Sequence, residues 1–142
     1  MRIFVAGGAG AIGRFLVPAL VEQGHETVVL VRSSAKTATV EAMGARSVVA
    51  DALDAAALTA AIGRAAPEVV VHQLTSIRAL ASFKPLDQDF ALTNRFRTYT
   101  TDLLLHAARQ VWGAPTDCGG RSPLATGVAW AKVTHLTQRG PI

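Results

Sequence analysis

The sequence predicts an α/β domain, a doubly wound parallel sheet whose four strands run in the order 3-2-1-4. Three observations carry this. Strand-like apolar runs alternate with helix-like runs from Met1 to about Arg109. The connections between them are short and punctuated by Gly, Pro or Asp. The first connection is Gly7-Gly8-Ala9-Gly10-Ala11-Ile12-Gly13, a glycine-rich turn lying between a strand and a helix.

The first strand is the run Arg2-Ile3-Phe4-Val5-Ala6. A helix follows from Ala11 to about Gln23, with Ile12, Phe15, Leu16, Ala19 and Leu20 at helical spacing and Gly24 as its stop. Pro18 removes one hydrogen bond inside it, which predicts a bend or a tight first half. Thr27-Val28-Val29-Leu30-Val31 is a continuous β-branched run, the mark of a strand buried on both faces. A short helix over Thr37 to Met43 closes at Gly44, and a third strand spans Arg46 to Ala50 and ends at Asp51. Asp54 is placed to cap a helix from Ala55 to Arg64. Pro67 then breaks the chain before a fourth strand, Glu68 to Leu74. Between Phe90 and Arg109 a helix carries Leu92, Phe96, Tyr99, Leu103 and Ala107 as one apolar stripe, expected to pack on the sheet.

The glycines of the first turn have separate physical uses. Gly7 permits a sharp exit from the strand, Gly10 lets the backbone approach a pyrophosphate, and Gly13 lets the helix pack closely. Phosphates would then lie on the helix N-terminus, where free N–H groups and the positive end of the macrodipole stabilise negative charge. Gly7, Gly10, Ala11, Ile12 and Gly13 are therefore the candidate phosphate-binding residues. A turn of this composition can also join a strand to a helix with no ligand involved.

Arg32 ends the second strand, where a site built for NAD(H) places an acidic residue to accept a hydrogen bond from the ribose 2′-hydroxyl. A guanidinium cannot accept that bond but pairs with a 2′-phosphate, and Ser33, Ser34 and Lys36 add donors and charge beside it. Arg32, Ser33 and Lys36 thus favour NADP(H) over NAD(H), the alternative being a solvated arginine at a strand end.

At 142 residues and 50% hydrophobic, the chain fits one globular domain and is short for a complete dinucleotide-dependent enzyme. Its formal charge is +4, but the basic residues are scattered and aromatics are only 6%, which argues against a nucleic-acid partner. Cys118 is the single cysteine, so neither an internal disulfide nor a Cys-based metal cluster is available, and no metal site is expected. No apolar run approaches a membrane span, and a cytoplasmic protein without membrane contact is expected.

From Met1 to about Arg109 the chain resembles the NAD(P)-binding Rossmann half of the NAD-dependent epimerase/dehydratase family, the extended or atypical short-chain dehydrogenases/reductases. Gly7, Gly10 and Gly13 carry the resemblance, with Val48-Val49-Ala50-Asp51-Ala52-Leu53-Asp54, Val69-Val70-Val71-His72-Gln73-Leu74-Thr75, and the helix from Thr93 to Arg109. The resemblance implies that Asp51 and Leu53 border the adenine, and that Leu74 and Thr75 run past the central ribose and phosphates. Thr100 stands where the family usually has glycine. Each residue also has a plainer reading. Asp51 can simply turn a strand end, His72 fits a strand residue satisfied by a backbone partner better than a ligand or base, and Thr75 and Ser76 can be turn residues.

Members of this family normally use Tyr-x-x-x-Lys, the lysine lowering the tyrosine pKa for proton exchange with the substrate. The only tyrosine is Tyr99, and position 103 is Leu, so no catalytic residue is assigned and enzyme activity stays an open question. Residues 110–142 do not resemble the family. Val111 to Pro123 is punctuated by turn formers, and a short helix through Val128 to Val133 is the only element expected in an otherwise irregular tail. Truncation or a shifted reading frame would explain it: Val133 to Gln138 is compatible, in another frame, with Asp-Pro-Leu-Asp-Pro, a segment resembling one found downstream in such proteins. A sheet that stops at its fourth strand would expose an apolar edge and invite self-association. The resemblance implies hydride transfer on a sugar nucleotide or another carbonyl or hydroxyl substrate. The alternatives are a catalytically silent NADP(H) binder or sensor and a fragment without function.

Overall fold

A computed structural model describes residues 1–76 and 86–113 together with the strands Thr116–Cys118 and Val128–Lys132. The elements run β1 (Arg2–Ala6), α1 (Gly13–Glu22), β2 (Glu26–Val31), a short 3-10 turn (Ser34–Lys36), α2 (Thr37–Ala42), β3 (Arg46–Val49), α3 (Ala55–Ala65) and β4 (Val69–His72). After these come α4 (Leu86–Arg95), a π-turn (Phe96–Thr100), α5 (Thr101–Trp112), β5 (Thr116–Cys118) and β6 (Val128–Lys132).

The sheet order is β3-β2-β1-β4-β6-β5, and the first four strands are parallel, in the 3-2-1-4 order expected. Val5 stands opposite Val29 on one side and Val71 on the other. The strand period sorts their side chains onto two cores. Phe4, Ala6, Val28, Leu30 and Val70 pack with α3 and α5 through Leu58, Ile62, Leu104 and Trp112. Ile3, Val5, Val29 and Val31 pack on the other face with Val17 of α1 and Val40 of α2. At about 1.5–3 kcal/mol for each large aliphatic side chain, this two-sided burial is the main force holding the layers together.

Local chemistry sets the helix ends. Asp54 accepts the Ala57 N–H with its side chain at 3.0 Å, the cap that the sequence predicts for α3. Pro18 lies inside α1, whose first turn is tight: the Phe15 and Leu16 N–H groups both donate to the Ile12 carbonyl at 3.1 Å.

Three expectations are corrected. The helix after β4 is interrupted by the π-turn, which inserts an extra residue and rotates the buried stripe. Tyr99 is consequently 43% exposed, while Phe96, Thr100, Leu104, Ala108 and Trp112 are buried. The hydroxyl of Thr100 donates to the Ala52 carbonyl at 3.3 Å, tying this helix to the loop after β3. Second, the tail holds strands where an irregular segment with a short helix was expected. Val128–Lys132 pairs antiparallel with β4, His72 opposite Val128, and Thr116–Cys118 pairs antiparallel with β6. An unpaired strand edge offers a row of free donors and acceptors, and that long-range pairing outweighs local helix preference in a five-residue segment. Third, the β4 edge is for the same reason covered, which removes the open edge on which self-association was expected to rest. The rest of the tail lies outside the described residues.

Candidate functional site

The C-terminal ends of β2, β1 and β4 border a cleft of about 470 Å³ lined by Gly7, Ala9, Gly10, Ala11, Ile12, Leu30, Val31, Arg32, Lys36, Gln73, Leu74 and Thr75. It lies beside the point where the chain order reverses across β1, the place where open α/β sheets bind ligands.

The glycine turn forms the cleft floor because backbone takes the place of side chains there. Gly7 has φ +96°, and a Cβ on it would stand 2.6 Å from the Gln73 carbonyl carbon and 2.9 Å from the Leu74 nitrogen. The end of β1 thus lies directly against the end of β4, closer than any other residue allows. Gly10 differs: a Cβ there would meet only the Gly7 oxygen, at 3.1 Å, so its missing side chain leaves room on the cleft side. Gly13 is buried against the Gly8 backbone, while Gly8 packs on Val29 and Val17. The helix is therefore brought to the sheet through Gly8, a residue the sequence reading passed over, with Gly13 closing on it. The Gly10 N–H donates to the Gly7 carbonyl and the Arg14 N–H to the Gly10 carbonyl, while the Ala11 and Ile12 N–H groups form no hydrogen bond among the described residues. Those two donors, at the positive end of α1, suit an anion.

Eight expected site residues meet at this cleft: Gly7, Gly10, Ala11, Ile12, Arg32, Lys36, Leu74 and Thr75. Four do not line it. Gly13 acts behind the floor. Ser33 is exposed and starts the 3-10 turn, its carbonyl accepting the Lys36 N–H at 3.2 Å. That turn carries Lys36 back to the cleft beside Arg32. Asp51 accepts the Leu53 N–H with its carboxylate at 2.9 Å, the turn-forming use noted as its plainer reading. Leu53 packs against the α3–α5 core. Arg32 and Lys36 are exposed and have no ion-pair partner among the described residues, where the recorded pair is Arg46 with Glu26.

The far wall is positioned by residues outside the cleft. His72 is buried, its Nε2–H donating to the Phe96 carbonyl at 3.0 Å and its Nδ1 accepting the Leu74 N–H at 3.2 Å. Phe96 opens the π-turn, so the interruption of the helix and the placement of Leu74 meet at one imidazole. Burial pushes the His72 pKa below its usual 6.5, partly opposed by the bond to Phe96. This neutral, doubly bonded ring matches the reading of His72 as a satisfied strand residue. Thr93 accepts the Ser76 N–H at 3.0 Å, pinning the segment after Thr75 to α4. Gln73, Ala9, Leu30 and Val31 line the cleft without having been expected to. Only Gln73 left a signal, as an uncharged polar residue interrupting the apolar run Val69 to Leu74.

A glycine-floored cleft at the strand-order reversal of a parallel sheet, with a helix N-terminus and two cations around it, defines a Rossmann-type nucleotide-binding domain. The model of the NAD dependent epimerase/dehydratase family matches residues 3–113, and the chain belongs to that family. It is 43% identical over 131 residues to a 3-diazoavenalumate denitrifying reductase of a Streptomyces species, a match taking in 92% of this chain and 39% of the relative. That match covers more of the chain than the family model does. A 4-hydroxy-2-methyl-3-oxo-4-farnesyl-3,4-dihydroquinoline-1-oxide ketoreductase of Stigmatella aurantiaca is 35% identical over 109 residues, covering 77% of this chain and 30% of the relative. Among solved structures, the UDP-glucose 4-epimerase of Thermus thermophilus in complex with NAD superposes with a TM-score of 0.63 at 30% identity, over 78% of this chain and 34% of that one. The chain thus spans well under half the length of each of these three proteins.

Proposed function

We propose that this chain binds a nicotinamide dinucleotide in the β2–β1–β4 cleft and prefers the 2′-phosphorylated form. The observation that carries the preference is the convergence of Arg32 and Lys36 on the cleft whose floor is Gly7 to Ile12. Neither cation is neutralised by a neighbouring carboxylate among the described residues, so both are available to a phosphate. The residues present fit the dinucleotide: Gly10 leaves the space a pyrophosphate needs, and the Ala11 and Ile12 N–H groups are donors without acceptors among the described residues. When bound, the nicotinamide ring supplies or takes a hydride.

The parent activity in this reading is hydride transfer with a carbonyl or hydroxyl compound, supported by the reductase and ketoreductase relatives and by the epimerase whose structure holds NAD. A second reading, a dinucleotide binder without catalysis, draws on the chain's own residues. Tyr99 is its single tyrosine, it does not line the cleft, and Arg95 lies over its ring at 5.8 Å. Titrations with NADPH and NADH test the binding. Tighter binding of NADPH is expected, and Arg32→Ala should weaken NADPH by roughly 10- to 100-fold, as loss of a charge-assisted bond does, with NADH nearly unchanged. Equal affinities for the two, or an equal loss of both, would refute the phosphate role. Consumption of reduced nicotinamide over a panel of carbonyl substrates separates the enzymatic reading from the silent one.

A further inference from the structure

Helix α1 carries apolar residues on more than the face it packs. Val17 is buried, and Leu20 and Val21 pack with it against the sheet. On the opposite side Phe15 is 69% exposed and Ile12 47% exposed, with Ala19 exposed beside them. Ile12, Phe15, Ala19 and Glu22 follow one another at intervals of three, four and three, so they share one outward stripe of the helix. Arg14 leans onto this stripe, its guanidinium lying over the Phe15 ring, 4.8 Å from the centroid. One exposed apolar side chain is ordinary, but an apolar stripe on a helix whose other side is already packed is a surface that no described residue covers.

The charges point to the occupant. Arg14 lies in the first turn of α1, and Glu22 is its last residue. A helix is positive at its N-terminus and negative at its C-terminus, so each charge stands at the end of like sign. Both are exposed, and neither forms an ion pair among the described residues. A second α1 laid antiparallel across the stripe reverses both relations at once. Two-fold symmetry then brings Arg14 of each copy to the partner's Glu22, at the negative end of the facing helix. Phe15 comes over the partner's Ala19, whose small side chain lets the helices approach, and the two macrodipoles oppose each other. We propose that the outer stripe of α1 is an interaction surface for a second copy of this chain, forming a two-fold antiparallel α1–α1 pair held by Phe15 and reciprocal Arg14–Glu22 ion pairs. α1 has ten residues, about 15 Å of helix, so the contact is smaller than a standard interface and the dimer is weak and concentration-dependent.

Sedimentation equilibrium of the full 142-residue chain, from about 10 μM to about 1 mM, tests this, with thermal unfolding as the control for folding. The parent should pass from monomer to dimer across that range. Phe15→Asp should stay monomeric throughout and, because the side chain it replaces is exposed, should melt with the parent. Arg14→Glu and Glu22→Arg should each weaken dimerisation roughly tenfold, through lost attraction and new like-charge contacts. Each should nevertheless melt at the parent's temperature or above it, since it places a charge at the favourable end of α1. The double variant, Arg14→Glu with Glu22→Arg, should recover most of the dimerisation, because the ion pairs form again with their charges exchanged. A residue serving only the fold does not move stability and association in opposite directions, and it is not rescued by a charge exchange. A parent that stays monomeric or grows beyond a dimer, or a Phe15→Asp variant that dimerises like the parent, would overturn the proposal. Single charge variants that dimerise like the parent, or a double variant no better than the singles, would overturn it as well.

Discussion

Gly7 and Gly10 belong to one motif, yet the structure predicts that replacing each by alanine fails for a different reason. In Gly7→Ala the new Cβ adopts φ +96° and stands 2.6 Å from the Gln73 carbonyl carbon and 2.7 Å from its oxygen. A positive φ at a residue with a side chain costs about 1–3 kcal/mol, and forcing the backbone of β4 aside about 1–3 kcal/mol more. The lower entropy of the unfolded chain returns only about 0.4–1 kcal/mol. The net loss is roughly 2–5 kcal/mol, a fall in melting temperature of about 10 °C for a domain of this size. In Gly10→Ala the Cβ meets a single atom at 3.1 Å, so the ligand-free protein should melt within about 3 °C of the parent. Its methyl group instead occupies the space where a pyrophosphate must approach, and NADPH should no longer raise the melting temperature. Thermal unfolding followed by circular dichroism, with and without NADPH, reads both effects. Near-parental melting of Gly7→Ala, or a full NADPH-induced shift in Gly10→Ala, would refute this division of roles.

Two further predictions concern the elements that hold the cleft. The folded-state pKa of His72 is depressed below the unfolded value of 6.5, so the unfolded chain binds more protons between those two values. Its contribution to stability is therefore complete above about pH 6.5 and declines as pH falls toward the folded pKa, and His72→Phe should flatten that part of the pH profile measured by urea denaturation. A parent stability that rises on acidification from pH 6.5 would contradict the sign. The Trp112 Nε1–H donates to the Pro67 carbonyl, joining the end of α5 to the chain entering β4. Trp112→Phe keeps most of the ring but strands that buried carbonyl, and chemical denaturation should register a loss of about 1–3 kcal/mol, with an unchanged stability counting against the bond.

Legibility followed the range of the forces involved. The strands β1 to β4 and the helices between them were readable because apolar period, caps and breakers act within a few residues: Asp54 caps α3, and Gly24 ends α1 at φ +77°. The π-turn was not, since it is matched to distant groups, the Phe96 carbonyl to His72 and the Thr100 hydroxyl to Ala52. The Leu92–Tyr99–Leu103 stripe assumed an uninterrupted 3.6-residue period, and one extra residue turned Tyr99 outward. Asp51 and Leu53 show a related limit: a strand-end position does not reveal that Asp51 Oδ1 accepts the N–H two residues on, or that Leu53 packs against the α3–α5 core.

The sequence by itself determined the class of fold, the glycine turn and the basic end of β2, because each is written in residues close together in the chain. Only the tertiary structure decided which of those residues share a wall. Parallel pairing of β1 with both β2 and β4 sets Arg32 and Lys36 across the turn from Gln73, brings Gly7 against the β4 backbone, and leaves the β4 edge to be covered by Val128–Lys132. Those relations depend on hydrogen bonds between segments far apart in sequence, and no local pattern encodes which distant segment will supply the partner.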